Sequence, residues 1–170
     1  MKPLILIGMM GSGKSTVGKF LAERIGYKFL DMDETIENIQ GLKIKDIFEL
    51  KGESHFRKLE EELLSKLVDK TQMVISTGGG IVINPINTLR MKEMGIVILL
   101  RGSEGELNKR LAGETENRPM LKQMALGSIL KVRSPLYEQT AQLIVDIDGK
   151  NVEETVGEII QKLEINELHS

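Results

Sequence analysis

With 170 residues, 25 acidic against 23 basic side chains and a net charge of −2, the chain suits one domain and offers no basic footprint for nucleic acid. It holds no cysteine, which excludes disulfides and thiolate metal sites; His55 and His169 lie far apart, lack ligand spacing and are expected on the surface. No apolar run approaches the ~20 residues of a membrane-spanning helix, and the first strand is too short for a signal-peptide core, so a soluble cytoplasmic protein without membrane partners is expected.

The run Leu4-Ile5-Leu6-Ile7 predicts a buried strand, and it leads directly into Gly8-Met9-Met10-Gly11-Ser12-Gly13-Lys14-Ser15. This segment satisfies GxxxxGK(S/T) at every fixed position. The glycines permit a tight turn whose N–H groups converge on phosphate oxygens, at the positive end of a helix predicted over 14–25. Gly11, Ser12, Gly13, Lys14, Ser15 and Thr16 are therefore the candidate nucleotide-binding residues. Lys14 would reach the terminal phosphates, and the Ser15 hydroxyl would ligate Mg²⁺. In the helix that follows, Val17, Leu21 and Ile25 should face the sheet, with Lys19, Glu23 and Arg24 outward.

A second strand over 27–30 ends in Asp31-Met32-Asp33. In extended backbone the two carboxylates share a face, whereas a turn starting there separates them. One would stand near Mg²⁺ and the other near a substrate hydroxyl; alternatively, Asp33 is the N-cap of a helix beginning at Glu34. Residues 33–57 hold two short helical patterns, and a longer one covers 58–69. A third strand over 73–75 runs into Thr77-Gly78-Gly79-Gly80. Three successive glycines imply close approach of the main chain to a bound group, or else a turn that needs positive φ.

Helical patterns then occupy 86–94, 104–111, 124–138 and 152–164, with strands at 96–100 and 143–147. Residues 112–122 read as a polar loop. Alternation of short apolar runs with helices predicts an α/β fold: a five-stranded parallel sheet flanked by helices on both faces. Insertions at 33–57 and 112–122 would lie at the carboxyl ends of the strands, where such sheets bind ligands.

Together these segments resemble the shikimate kinases. The likeness covers nearly the whole chain: Gly8 to Ser15, Asp31-Met32-Asp33, Phe56-Arg57 with Glu60 after it, Gly78 to Gly80, Arg118-Pro119, and Arg133 followed by Pro135-Leu136-Tyr137. The resemblance implies the architecture of a phosphate-loop kinase, with 33–60 as a substrate-binding helical insertion and 112–122 as a lid. It implies transfer of the ATP γ-phosphoryl group to the 3-hydroxyl of shikimate, giving shikimate 3-phosphate and ADP in chorismate biosynthesis.

Residue by residue, the resemblance makes Asp33 the partner of substrate hydroxyls and the candidate base, with Arg57 and Arg133 on the substrate carboxylate. Gly79 and Gly80 line that pocket, Arg118 of the lid meets the phosphates, and Asp31 stands beside Mg²⁺. Arg110 would flank adenine. A monomer is expected. These roles agree with the chemistry of the residues: an arginine fork suits a carboxylate, and phosphoryl transfer needs mainly positioning and neutralisation of charge by groups such as Lys14.

Each arginine also has a plainer reading, Arg57 as the partner of Glu60 or Glu61 in a surface pair, Arg118 as loop decoration and Arg133 as a solvated helix residue. Arg101 has no assigned role. Another small-molecule kinase such as a gluconate kinase shares the phosphate loop. A guanine-nucleotide switch would need NKxD, which Asn108-Lys109-Arg110-Leu111 fails at its last position; Asp146-Ile147-Asp148-Gly149 matches DxxG but follows the last strand. A protein that kept the fold without catalysis is disfavoured by intact Lys14, Ser15, Asp33 and Arg118.

Overall fold

Leu4–Ile7 (β1) is buried along its whole length, which requires cover on both faces of the strand. The computed structural model, which describes residues 1–112 and 119–167, supplies that cover. β1 lies between Met73–Ser76 (β3) and Ile96–Arg101 (β4), with Lys28–Asp31 (β2) and Leu143–Asp146 (β5) at the edges. All four pairings are parallel, in the order β2-β3-β1-β4-β5. The helices Lys14–Ile25 (α1) and Val152–Glu167 (α9) pack together, α1 against β1, β2 and β3 and α9 against β5. Pro85–Met94 (α5) and Leu126–Thr140 (α8) form the opposing layer with β4.

The strand order creates the site. The chain leaves β1 toward β2 on one side, but leaves β3 toward β4 on the other, so a crevice opens at the carboxyl ends of β1 and β3. The phosphate loop and the triple glycine are the segments that follow these two strands. Thr77 stitches them together, its N–H and Oγ1 both donating to Leu6 O, at 3.1 and 2.9 Å.

Met32–Gln40 (α2), Ile44–Lys51 (α3) and Glu53–Lys66 (α4) build the wall beside that crevice. α4 begins five residues earlier than the expected 58, because Gly52 alone, at φ 83° and ψ 166°, breaks the chain between α3 and α4. Burial of Ile47 and Phe56 and the Phe48–Phe56 ring contact at 5.0 Å fold the two helices together. His55 is thereby half-buried on α4 with Nε2 enclosed, not on the surface as expected, and His169 lies outside the described residues.

Two further corrections concern ends of elements. β2 stops at Asp31, which caps α2 by accepting from Glu34 N–H at 3.1 Å; Asp33 sits inside the first turn and is not the N-cap. In the segment expected as a polar loop, Pro119–Gln123 forms a short helix (α7), with Pro119 at its start where the missing N–H costs nothing. Arg118 and the centre of the expected lid lie outside the described residues. Glu104–Arg110 (α6) completes the helices named here. Among the described residues no helix is long and apolar enough to cross a membrane.

Candidate active site

The phosphate loop is shaped by three glycines in left-handed or related backbone, Gly8 at φ 147°, Gly11 at 81° and Gly13 at 84°. A Cβ on Gly8 would also strike Leu100 O at 2.6 Å, so no other residue fits there. Met9 and Met10 are buried and anchor the loop to the core. Lys14 opens α1 and folds back across the loop, Nζ donating to Gly8 O at 2.8 Å and Met9 O at 3.0 Å. Ser12 is wholly buried beneath the loop, with its hydroxyl toward Gly8 and away from the cavities.

Ser15 Oγ donates to Asp31 Oδ2, and Ser76 Oγ stands 3.4 Å from Ser15 Oγ. The register that opposes Asp31 to Ser76 sets this cluster at the sheet's edge of the loop. A hydroxyl and a carboxylate side by side at a phosphate site fit Mg²⁺, which takes one or two protein oxygens and completes its shell with water and phosphate.

On the far side of the loop, Arg110 is held by Glu106 Oε1 at 2.8 Å and by the carbonyls of Ile147 and Lys150 at 3.2 and 3.3 Å. Its Nη1 lies 3.4 Å from where a Gly13 Cβ would stand. The guanidinium is thus fixed beside the loop. Gly11, Gly13, Lys14, Ser15, Thr16 and Arg110 line a cavity of about 340 Å³.

A larger cavity of about 720 Å³ adjoins it, lined by Asp33, Arg57, Glu60, Arg133 and Gly78 to Gly80, with Phe48, Phe56 and Met120 as apolar wall. The triple glycine explains how so many side chains converge. A Cβ on Gly78 would meet Glu60 Oε1 at 2.6 Å and Asp33 Oδ1 at 2.9 Å, one on Gly79 would meet Met10 N at 3.4 Å and Arg133 Nη1 at 3.5 Å, and one on Gly80 would collide with the Arg57 guanidinium. None of the three has positive φ. At Gly78 and Gly80 close approach, not turn geometry, is the reason for the glycine, whereas at Gly79 a Cβ would make only ordinary contacts.

Arg57 is no surface residue of the ordinary kind. Its Nη1 donates to Glu60 Oε2 at 2.6 Å and its Nη2 to Glu53 Oε1 at 3.2 Å, and Glu60 is only 1 % exposed. Burial pushes the Glu60 carboxyl up, more strongly than Arg57 draws it down, and the charge of Asp33 adds to the rise. Burial alone would lower Arg57, but Glu60 and Glu53 together outweigh it and hold the guanidinium further toward its charged form. Arg133 is 3 % exposed, which rules out the solvated-helix reading.

Glu60 is the site residue that sequence reasoning left in a supporting place. Its i, i+3 spacing from Arg57 was the only local signal, and that spacing equally describes an exposed pair. Arg101, left unassigned, is a strut between strand ends: Nε and Nη2 donate to the two Asp146 carboxylate oxygens at 2.6 and 3.0 Å. The DxxG match is structural as well, since Asp146 holds Arg101, Asp148 accepts from Ser103 N–H at 2.9 Å and Gly149 turns the chain at φ 71°.

A phosphate loop beneath one cavity, opening on a second cavity lined by two arginines and several carboxylates, defines a phosphate-loop kinase of small molecules. The family model described as shikimate kinase matches residues 10–164, and the chain belongs to that family. Its activity is that of the family, phosphorylation of shikimate by ATP. The chain is 41 % identical over 168 residues to a shikimate kinase of Thermodesulfovibrio yellowstonii, covering 96 % of both, and 42 % identical over 165 residues to one of Sulfurihydrogenibium sp., covering 96 % of this chain and 98 % of the relative.

Among solved structures, the shikimate kinase from Acinetobacter baumannii in complex with shikimate superposes with a TM-score of 0.93 at 35 % identity, covering 99 % of this chain and 96 % of that one. The enzyme from Aquifex aeolicus gives 0.85 at 37 %, with 99 % of each covered. A gluconokinase from Sinorhizobium meliloti reaches only 0.52 at 18 % identity, with 97 % of each covered, a likeness of fold alone.

Proposed function

We propose that the smaller cavity holds ATP, that the larger holds shikimate, and that the γ-phosphoryl group crosses to the 3-hydroxyl where the two cavities meet. The supporting observation is that Asp33 and Gly79 line both cavities. In this reading Arg57 and Arg133 take the substrate carboxylate, one from α4 and one from α8, with Gly79 lining the pocket beside Arg133 and Gly80 leaving the space that lets the Arg57 guanidinium reach it.

Asp33 orients the 3-hydroxyl and accepts its proton as the phosphoryl group arrives. Lys14 exchanges its two loop carbonyls for phosphate oxygens, so the charge that builds on the transferring group meets a cation already inside the loop. Ser15 and Asp31 would hold Mg²⁺, which when bound neutralises the β- and γ-phosphate oxygens. Gly11, Gly13 and Thr16 cradle the phosphates together with the backbone at Ser12, Arg110 flanks the base, and Arg118 is assigned to the phosphates by the family resemblance.

The chain works as one domain, with 33–60 as its substrate-binding insertion and 112–122 as its lid. It acts as a cytoplasmic monomer with small-molecule partners, without nucleic acid or membrane. An ADP-release assay with Mg·ATP tests the reading: release should require shikimate and should stay at background with gluconate or with no acceptor. Release with gluconate that matches or exceeds release with shikimate would overturn it.

A further inference from the structure

Behind the substrate side of the cavity lies a hydroxyl with no place in the chemistry above. Tyr137 is 2 % exposed on α8, one turn beyond Arg133 and therefore on the same face of that helix. Its hydroxyl donates to Gly79 O, and the Met9 sulfur of the phosphate loop stands 3.8 Å away. The positive charge of Arg133, one turn back on the same helix, acts on the phenol. Gly79 in turn sits between Arg133 and the loop, 3.4 Å from Met10 N and 3.7 Å from Gly8 O at its Cβ position. Tyr137 is not among the residues that line either large cavity.

A tyrosine ring would fill this space without its oxygen, so the hydroxyl calls for its own explanation. A buried O–H that lost its acceptor would be costly, and here it is matched to a main-chain carbonyl whose own residue carries no side chain to hold it in place. Burial pushes the phenol up to about 12, against the lowering influence of Arg133, so the group stays protonated and remains a donor at working pH.

We propose that Tyr137 is a positioning residue: through Gly79 O and Arg133 it locks the carboxylate-binding end of the acceptor cavity to the phosphate loop. The backbone between β3 and the short helical turn at Ile81–Ile83 is the segment it restrains, and the guanidinium of Arg133 is the group it keeps in register. This rests on the reading of Arg133 as a ligand of the substrate carboxylate.

The test is Tyr137→Phe beside Arg133→Ala, in the full chain, with steady-state kinetics for both substrates and calorimetric titration of ADP. Removal of one neutral hydrogen bond from a binding site predicts a rise in the shikimate KM of about 3- to 10-fold in Tyr137→Phe. The ATP KM and the ADP affinity should remain within about twofold, since the phosphate loop keeps its own glycines and Lys14. An unchanged shikimate KM in Tyr137→Phe, with a raised one in Arg133→Ala, overturns the positioning role and leaves the site reading intact. An unchanged KM in Arg133→Ala overturns the site reading itself. Parallel loss of ADP affinity in Tyr137→Phe assigns the hydroxyl to general stability and overturns the proposal.

Discussion

Arg57 and Glu60, one turn apart on α4, form a part-buried pair in which Nη1 donates to Oε2 at 2.6 Å and the carboxylate is 1 % exposed. The pair gives the cavity a cation whose direction is set before any substrate arrives. It also places a carboxylate where burial resists its charge.

That resistance has a sign. Glu60 is raised in the folded state, so the native chain binds the proton more readily than the unfolded one, and stability from this group is present below about pH 4.3, the ordinary glutamate value, and lost as pH rises through the folded value. Chemical denaturation of the wild type and of Glu60→Gln between pH 4 and 7 should show the wild type losing stability relative to the variant with rising pH. A constant or inverted gap would contradict the shift. Glu60→Ala, which removes the closer of the two partners of Arg57, should destabilise the fold by about 3 kcal/mol, the lower end for breaking a buried pair, because Arg57 keeps Glu53 and some exposure.

Gly80 sits at φ −95° and ψ 4°, backbone that alanine adopts without strain. Gly80→Ala therefore tests one thing, the space taken by the Arg57 guanidinium. A flexible arginine can swing away, so the fold should survive while the substrate carboxylate loses a charged hydrogen bond of about 1.5–3 kcal/mol. The shikimate KM should rise about 10- to 100-fold with the ATP KM nearly unchanged. Equal effects on both substrates would place Arg57 elsewhere in the mechanism.

Lys14→Ala should lower kcat by about 10²- to 10³-fold, the range found when one preorganised donor to developing charge is removed. Among the described residues the lysine donates to two loop carbonyls and bridges no strand of the sheet, so circular dichroism should remain that of the wild type. Turnover near normal in a folded Lys14→Ala variant would remove the donor site from the phosphate loop.

Much of this was legible along the chain. Leu4 to Ile7 and the glycines of the phosphate loop encode their shape locally, since burial on both faces and positive φ are demands that a residue meets by its own type. The five strands and their parallel arrangement follow from apolar runs that alternate with helical patterns, whereas their spatial order came only with the fold. The ends were less legible. Asp31 and Asp33 are both credible caps by composition, and only the point at which β2 stops decided that Asp31 takes the role.

The sequence by itself determined that this chain binds phosphate in a loop at the head of a parallel sheet, and its order of motifs pointed to the family. The tertiary structure alone decided what the candidate specificity residues touch. Gly80 opens space for Arg57, Gly78 for Glu60 and Asp33, and Tyr137 reaches Gly79 across 58 positions of chain. No local pattern reports such contacts, because an i, i+3 pair or a run of glycines looks the same whether it faces water or another strand's loop. Burial, imposed by elements far away in sequence, is what turns Arg57 and Glu60 from an ordinary helical pair into part of the wall of the larger cavity.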